Sequence, residues 1–136
     1  MKKLIKKFDI ISNNLTHKKV INNLPLIFFI LLILVFLTRF YSIGMEVIDW
    51  DEADFILMGN SFYQGNLPYL ELWDLKPPVH FFLIGFAFKL FGPSLLVARL
   101  LGAVLVLLSS ILIVLLTKNI LNNFEKFLAA VLYILF

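Results

Sequence analysis

The sequence predicts an all-α, membrane-embedded fold: a multi-span helical bundle whose first outer loop carries juxtamembrane amphipathic helices. Two observations predict it. Hydrophobic residues make up 61% of the 136 residues and charged residues 15%, with a mean hydropathy of +0.95. Average soluble domains run roughly 45–50% apolar and about 25% charged. The apolar side chains also fall in long runs, such as the unbroken stretch from Leu26 to Leu37. A chain of this length cannot hide that much apolar surface in a core of its own, whereas lipid accepts apolar side chains on every face of a helix.

The chain starts with a basic segment. Lys2, Lys3, Lys6, Lys7, Lys18 and Lys19 supply half of the 12 basic residues, all before the first apolar run. This reads as a cytoplasmic anchor under the positive-inside rule. The net charge of +3 is therefore not a nucleic-acid patch, and no nucleic-acid partner is expected. The chain has no cysteine, which excludes disulfides and thiolate metal sites. The basic region is long and no small-residue cleavage site follows the apolar core, which argues against a cleaved signal peptide. The sequon Asn14-Leu15-Thr16 falls on the predicted cytoplasmic side and is read as chance.

A first span is expected from about Leu24 to Met45, about 33 Å at helical rise and enough to cross a bilayer. Arg39 lies near its outer end, from which it can snorkel to the interface. The stretch from Glu46 to Lys76 holds seven of the nine acidic residues. Within it, Asp51 to Gln64 reads as a short helix with Phe55, Met58 and Phe62 on one face, ended by Gly65 and Pro68. The simplest picture is an amphipathic helix on the outer membrane surface.

Pro77-Pro78 opens a second apolar segment, Val79 to Phe91, which is short for a span. A full-length span follows from Leu95 to Leu116, with Arg99 near its start. An incomplete third runs from Phe127 to Phe136. If Val79–Phe91 stays at the interface, the basic N-terminus and the loop with Lys118 and Lys126 lie inside, and the acidic loop lies outside. A crossing would break the charge rule, so an interfacial or re-entrant helix is expected. The outer loop then covers residues 46–94.

The segment Ile48-Asp49-Trp50-Asp51-Glu52-Ala53-Asp54 concentrates acids at a membrane surface, where each raises the others' pKa unless cations compensate. On the functional reading, a carboxylate acts as general base on an acceptor hydroxyl or amine. Lys76 and Arg99 then bind the phosphate of a leaving group. On the structural reading, Asp49-x-x-Glu52 is a capping box and the other charges are solvated at the headgroups. His80 reads as a packed or interfacial residue, since a lone histidine makes no metal site. Trp50, Tyr69 and Trp73 read as interfacial aromatics.

The order of these motifs is informative. Asp51-Glu52 follows a span, then come a short helix, Gly65-Asn66-Leu67-Pro68-Tyr69 and Trp73-Asp74-Leu75-Lys76-Pro77-Pro78. An apolar helix ending Leu90-Phe91-Gly92 follows, with Arg99 opening the next span. From about Arg39 to Leu116 the series resembles the N-terminal part of the GT-C glycosyltransferases, nearest the protein O-mannosyltransferase and aminoarabinose transferase branch. The resemblance implies an inverting enzyme that takes its sugar from a polyprenyl-phosphate donor in the membrane. It implies Asp51 as the catalytic carboxylate, Glu52 as its motif partner, and Lys76 and Arg99 as donor-phosphate ligands. No metal ligand or cofactor-binding residue is assigned. The partners implied are membrane lipid, the lipid-linked sugar, and a glycan, lipid or protein acceptor. Asp54 and Phe55 depart from the Arg and Tyr often found in the aminoarabinose branch.

Residues 1–136 are accordingly expected to form the N-terminal portion of one membrane glycosyltransferase domain, inactive by itself, in a cell membrane with the first loop extracytoplasmic. The alternative is a small non-enzymatic membrane protein that assists lipid-linked sugar transfer or assembly.

Overall fold

The computed structural model describes residues 25–47 and 49–136. The Lys-rich start, the sequon, Leu24 at the head of the expected first span and the segment bearing on signal cleavage lie outside the described residues. The helices are α1 (Pro25–Ile43), α2 (Trp50–Tyr63), α3 (Val79–Phe91), α4 (Leu95–Leu116) and α5 (Asn123–Leu135), and no strand occurs among the described residues. The described residues form an all-α fold, as the long apolar runs predict.

Two of these helices are long and apolar enough to cross a membrane, α1 with 19 residues and α4 with 22. Their surroundings separate them from core helices of a soluble protein, which are mostly buried. Only 11% of the apolar window of α1 and 17% of that of α4 is buried within the protein. Phe29, Ile33 and Leu37 on α1, and Val104, Leu108 and Leu112 on α4, are all exposed. Continuous apolar surface of this kind is a liability in water and is satisfied by lipid.

The chain forms two compact units. In the first, described over residues 25–38 and 106–136, Leu31, Val35, Val114, Ala130 and Ile134 are buried. Its helix α5 begins at Asn123, four residues earlier than the hydropathy pattern alone marks. The cause is a capping box. The Asn122 side chain accepts from the Phe124 and Glu125 backbone N–H groups, both at 3.0 Å, and the Glu125 carboxylate accepts from the Asn122 N–H at 2.9 Å. Two orphan N–H groups of the first turn and that of the cap residue are thereby satisfied.

The second unit, Arg39–Leu105, holds the end of α1, all of α2 and α3, and the start of α4. Its core is the α2–α3 pair. The face of α2 marked by Phe55, Met58 and Phe62 does not lie open at a membrane surface: α3 covers it. Phe55 contacts Phe81 and Phe62 packs edge-on against Phe82, at centroid separations of 6.1 and 4.9 Å. Met58, Phe81 and Phe88 are buried. The helices approach closely because Gly59 and Gly85 face each other. A Cβ on Gly85 would lie 2.7 Å from the Gly59 carbonyl oxygen and 2.5 Å from Phe62 Cδ1. The apolar run of α3 stops at Gly92, whose φ of +87° suits only glycine well. Ser94 then caps α4, its hydroxyl accepting from the Val97 N–H at 3.2 Å.

Candidate functional site

The second unit brings the acidic segment, Lys76 and Arg99 together. Asp49 sits at the N-cap of α2, and its carboxylate accepts from the Glu52 backbone N–H at 2.8 Å. This is one half of the expected capping box. It starts the helix so that Asp51 and Glu52 fall in the first turn, where the N-terminal dipole favours negative charge. The two neighbouring carboxylates project to different cations.

Asp51 pairs with Lys76. The ammonium lies 2.8 Å from Asp51 Oδ1, 3.6 Å from Asp74 Oδ2 and 3.7 Å from Asp54 Oδ2, and it stands 4.7 Å from the centre of the Phe55 ring. Asp74 Oδ2 is buried without a hydrogen bond, so its contact with Lys76 is a charge contact longer than a hydrogen bond. The hydrogen bond to Asp51 raises the Lys76 pKa above its ordinary 10.5, burial works against this, and the charges of Asp51, Asp74 and Asp54 add to it. Lys76 therefore stays cationic at any physiological pH. Asp51 itself is 72% exposed. A strap holds Lys76 in place: the Tyr69 hydroxyl donates to the Lys76 carbonyl oxygen, and Tyr69 adopts a left-handed φ of +69°. Tyr69 is thus a fixed part of this loop, whereas Trp50 and Trp73 are exposed as interfacial aromatics would be.

Glu52 pairs with Arg99 in a different setting. The Arg99 side chain is only 8% exposed. Its Nε donates to Glu52 Oε1 at 2.7 Å and its Nη2 to Glu52 Oε2 at 2.9 Å, a bidentate fork. Nη1 donates to the carbonyl oxygens of Ser42 and Met45, and Nη2 also donates to that of Glu46. Arg99 therefore ties the end of α1 and the turn after it to the start of α2. Every nitrogen of the guanidinium has a protein acceptor, so a phosphate reaches Arg99 only if one of these contacts gives way.

A cavity of about 510 Å³ lies within the same unit. Asp49, Asp51, Glu52 and Arg99 line it, as do Phe55 and His80, and the remaining wall is largely apolar side chains of α3 and α4. His80 is exposed, is stacked on Phe55 at 5.3 Å and forms part of the cavity wall. Arg39 also lines the cavity, a placement that its position at the end of an apolar run did not disclose. No group of three or more metal-ligating side chains occurs among the described residues. A cavity with apolar walls and converging carboxylates and cations suits an amphiphilic anionic ligand next to a group that can accept a proton.

Comparison with known proteins gives one match. Residues 75–136 match the family described as dolichyl-phosphate-mannose-protein mannosyltransferase. The match takes in Lys76, His80 and Arg99 and begins after Asp51 and Glu52. It supports a GT-C-type glycosyltransferase, and with the two long apolar helices it fits a membrane protein. No curated protein and no solved structure matches the chain.

Proposed function

Taking the chain as GT-C mannosyltransferase-like, we propose that it supplies the base and phosphate-binding groups for transfer of a sugar from a polyprenyl-phosphate donor at the outer membrane face. The observation that carries this reading is the exposed Asp51 carboxylate on the wall of a cavity, 2.8 Å from the Lys76 ammonium.

In the proposed reaction the acceptor hydroxyl or amine attacks the anomeric carbon from the face opposite the phosphate, which inverts the configuration. Asp51 takes the acceptor's proton. The bond from the anomeric carbon to the phosphate oxygen breaks, and polyprenyl phosphate leaves with the electron pair. Lys76 meets the charge that develops on the leaving oxygen. Three carboxylates surround one ammonium, so an arriving phosphate gains Lys76 only by displacing one of them. Displacing Asp51, the most exposed of the three, frees the base as the donor binds. Glu52 and Arg99 form the second pair. Arg99 joins the phosphate contacts only if it releases Glu52 or one of the carbonyls it holds, and otherwise the pair holds Asp51 in position from the neighbouring residue.

The topology proposed with this reaction has the N-terminus cytoplasmic and residues 46–94 outside, with α3 as an interfacial or re-entrant helix. Its 13 residues are too few for an ordinary span.

The test is Asp51→Asn in membranes of cells making the intact protein, assayed with a polyprenyl-phosphate sugar. Transfer should fall by roughly 10²–10⁴-fold, the usual contribution of a general base, with expression and insertion normal. Retained transfer would remove Asp51 from the mechanism.

A further inference from the structure

We propose that Arg39 binds the phosphate of the lipid-linked donor, the part expected of Arg99. This rests on the glycosyltransferase reading of the cavity and adds a ligand to it. The two arginines lining the cavity have opposite circumstances. Arg99 is engaged through Nε, Nη1 and Nη2 by Glu52 and three carbonyl oxygens. Arg39 is exposed, and among the described residues its guanidinium has no hydrogen bond and no ion pair.

Arg39 also sits in the last turns of α1, an apolar helix of 19 residues. A guanidinium at a helix end reaches the interface and stays solvated, so Arg39 is available to an anion that enters the cavity it lines. Asp49, Asp51 and Glu52 line the same cavity, so an anion entering it needs a cation not already neutralised by the protein. Arg39 meets that need. Its planar fork matches two phosphate oxygens at once, and the apolar side chains of α3 and α4 in the cavity wall suit the adjoining lipid chain. The shared chemistry is a phosphate monoester or diester on a lipid, which a polyprenyl phosphate or a bilayer headgroup could supply.

The experiment uses the intact protein in nanodiscs of neutral phosphatidylcholine, with short-chain polyprenyl phosphate and the uncharged polyprenol as probes. The wild type should bind the phosphate more tightly than the alcohol. Arg39→Gln should reduce that preference by about 10–100-fold, the range for hydrogen bonds to charged groups, and Arg39→Lys should restore part of it. Thermal unfolding of both variants separates lost binding from lost folding. An unchanged preference in Arg39→Gln overturns the proposal. So does a phosphate preference that Arg39→Gln leaves intact while altering only the response to added phosphatidylglycerol, since Arg39 then serves a headgroup. The Asp51 reading fails separately, by retained transfer in Asp51→Asn, because the binding assay needs no turnover.

Discussion

Asp51 and Glu52 are adjacent in the chain and share the first turn of α2, yet they sit in different surroundings. Asp51 is 72% exposed and its partner Lys76 belongs to a loop beside two further carboxylates. Glu52 is 21% exposed and held by a guanidinium that is itself 8% exposed and bonded to the end of α1. Exposed ion pairs contribute little to stability and exchange partners readily. A fully engaged buried fork is costly to break. One turn of helix thus presents an exposed carboxylate, the base of the proposed reaction, beside one committed to holding the fold.

That contrast can be broken in order of expected effect. Arg99→Ala should destabilise the protein by about 3–5 kcal/mol, because it removes the buried bidentate fork to Glu52 and the ties to the end of α1 and the turn after it. Arg99→Lys should recover little of it, since an ammonium cannot reproduce the fork. Thermal unfolding in membranes or detergent reads both. Lys76→Gln should weaken donor phosphate binding by about 10–100-fold, read as a rise in donor KM, and should lower the unfolding midpoint by less than Arg99→Ala does, because the buried Asp74 Oδ2 loses its charge partner. Gly85→Ala should cost about 1–3 kcal/mol, because its Cβ would lie 2.5 Å from Phe62 Cδ1 and 2.7 Å from the Gly59 carbonyl oxygen, where only the side chain can give way easily.

The smallest effect is a pH dependence. The Asp51 hydrogen bond raises the folded-state Lys76 pKa above 10.5. The stabilisation this gives is therefore complete below pH 10.5 and is lost as pH rises through the raised value. Because the pair is exposed, the loss is small. Lys76→Gln should remove this small contribution at all pH values below 10.5, and with it the alkaline decline, leaving the slope of the stability curve near neutral pH unaltered.

Much of the helical architecture was legible in the sequence. Pro77-Pro78, Gly92-Pro93 and the continuous apolar runs fix the bounds of α3 and α4, where punctuation and hydropathy agree. The start of α5 was legible too, but in the Asn122-x-x-Glu125 box rather than in hydropathy. The packing of α2 on α3 was not, since periodicity says which face is apolar and not what covers it. Gly59 and Gly85 become partners only when two helices meet.

The candidate site divides in the same way. The sequence identifies Asp51, Glu52, Lys76 and Arg99 as residue types suited to the chemistry. Which carboxylate meets which cation depends on contacts such as Glu52 to Arg99, 47 residues apart, and no local pattern encodes those. Arg39 read as a snorkelling residue because its position in the chain gives no sign of the cavity it lines.

The most direct test compares Asp51→Asn with Glu52→Gln in the same membrane preparation, measuring sugar transfer and the unfolding midpoint of each. Asp51→Asn should lose transfer at an unchanged midpoint, and Glu52→Gln should lower the midpoint. Equal losses of transfer at unchanged midpoints, or a lowered midpoint in Asp51→Asn alone, would contradict the division of roles between the two acids.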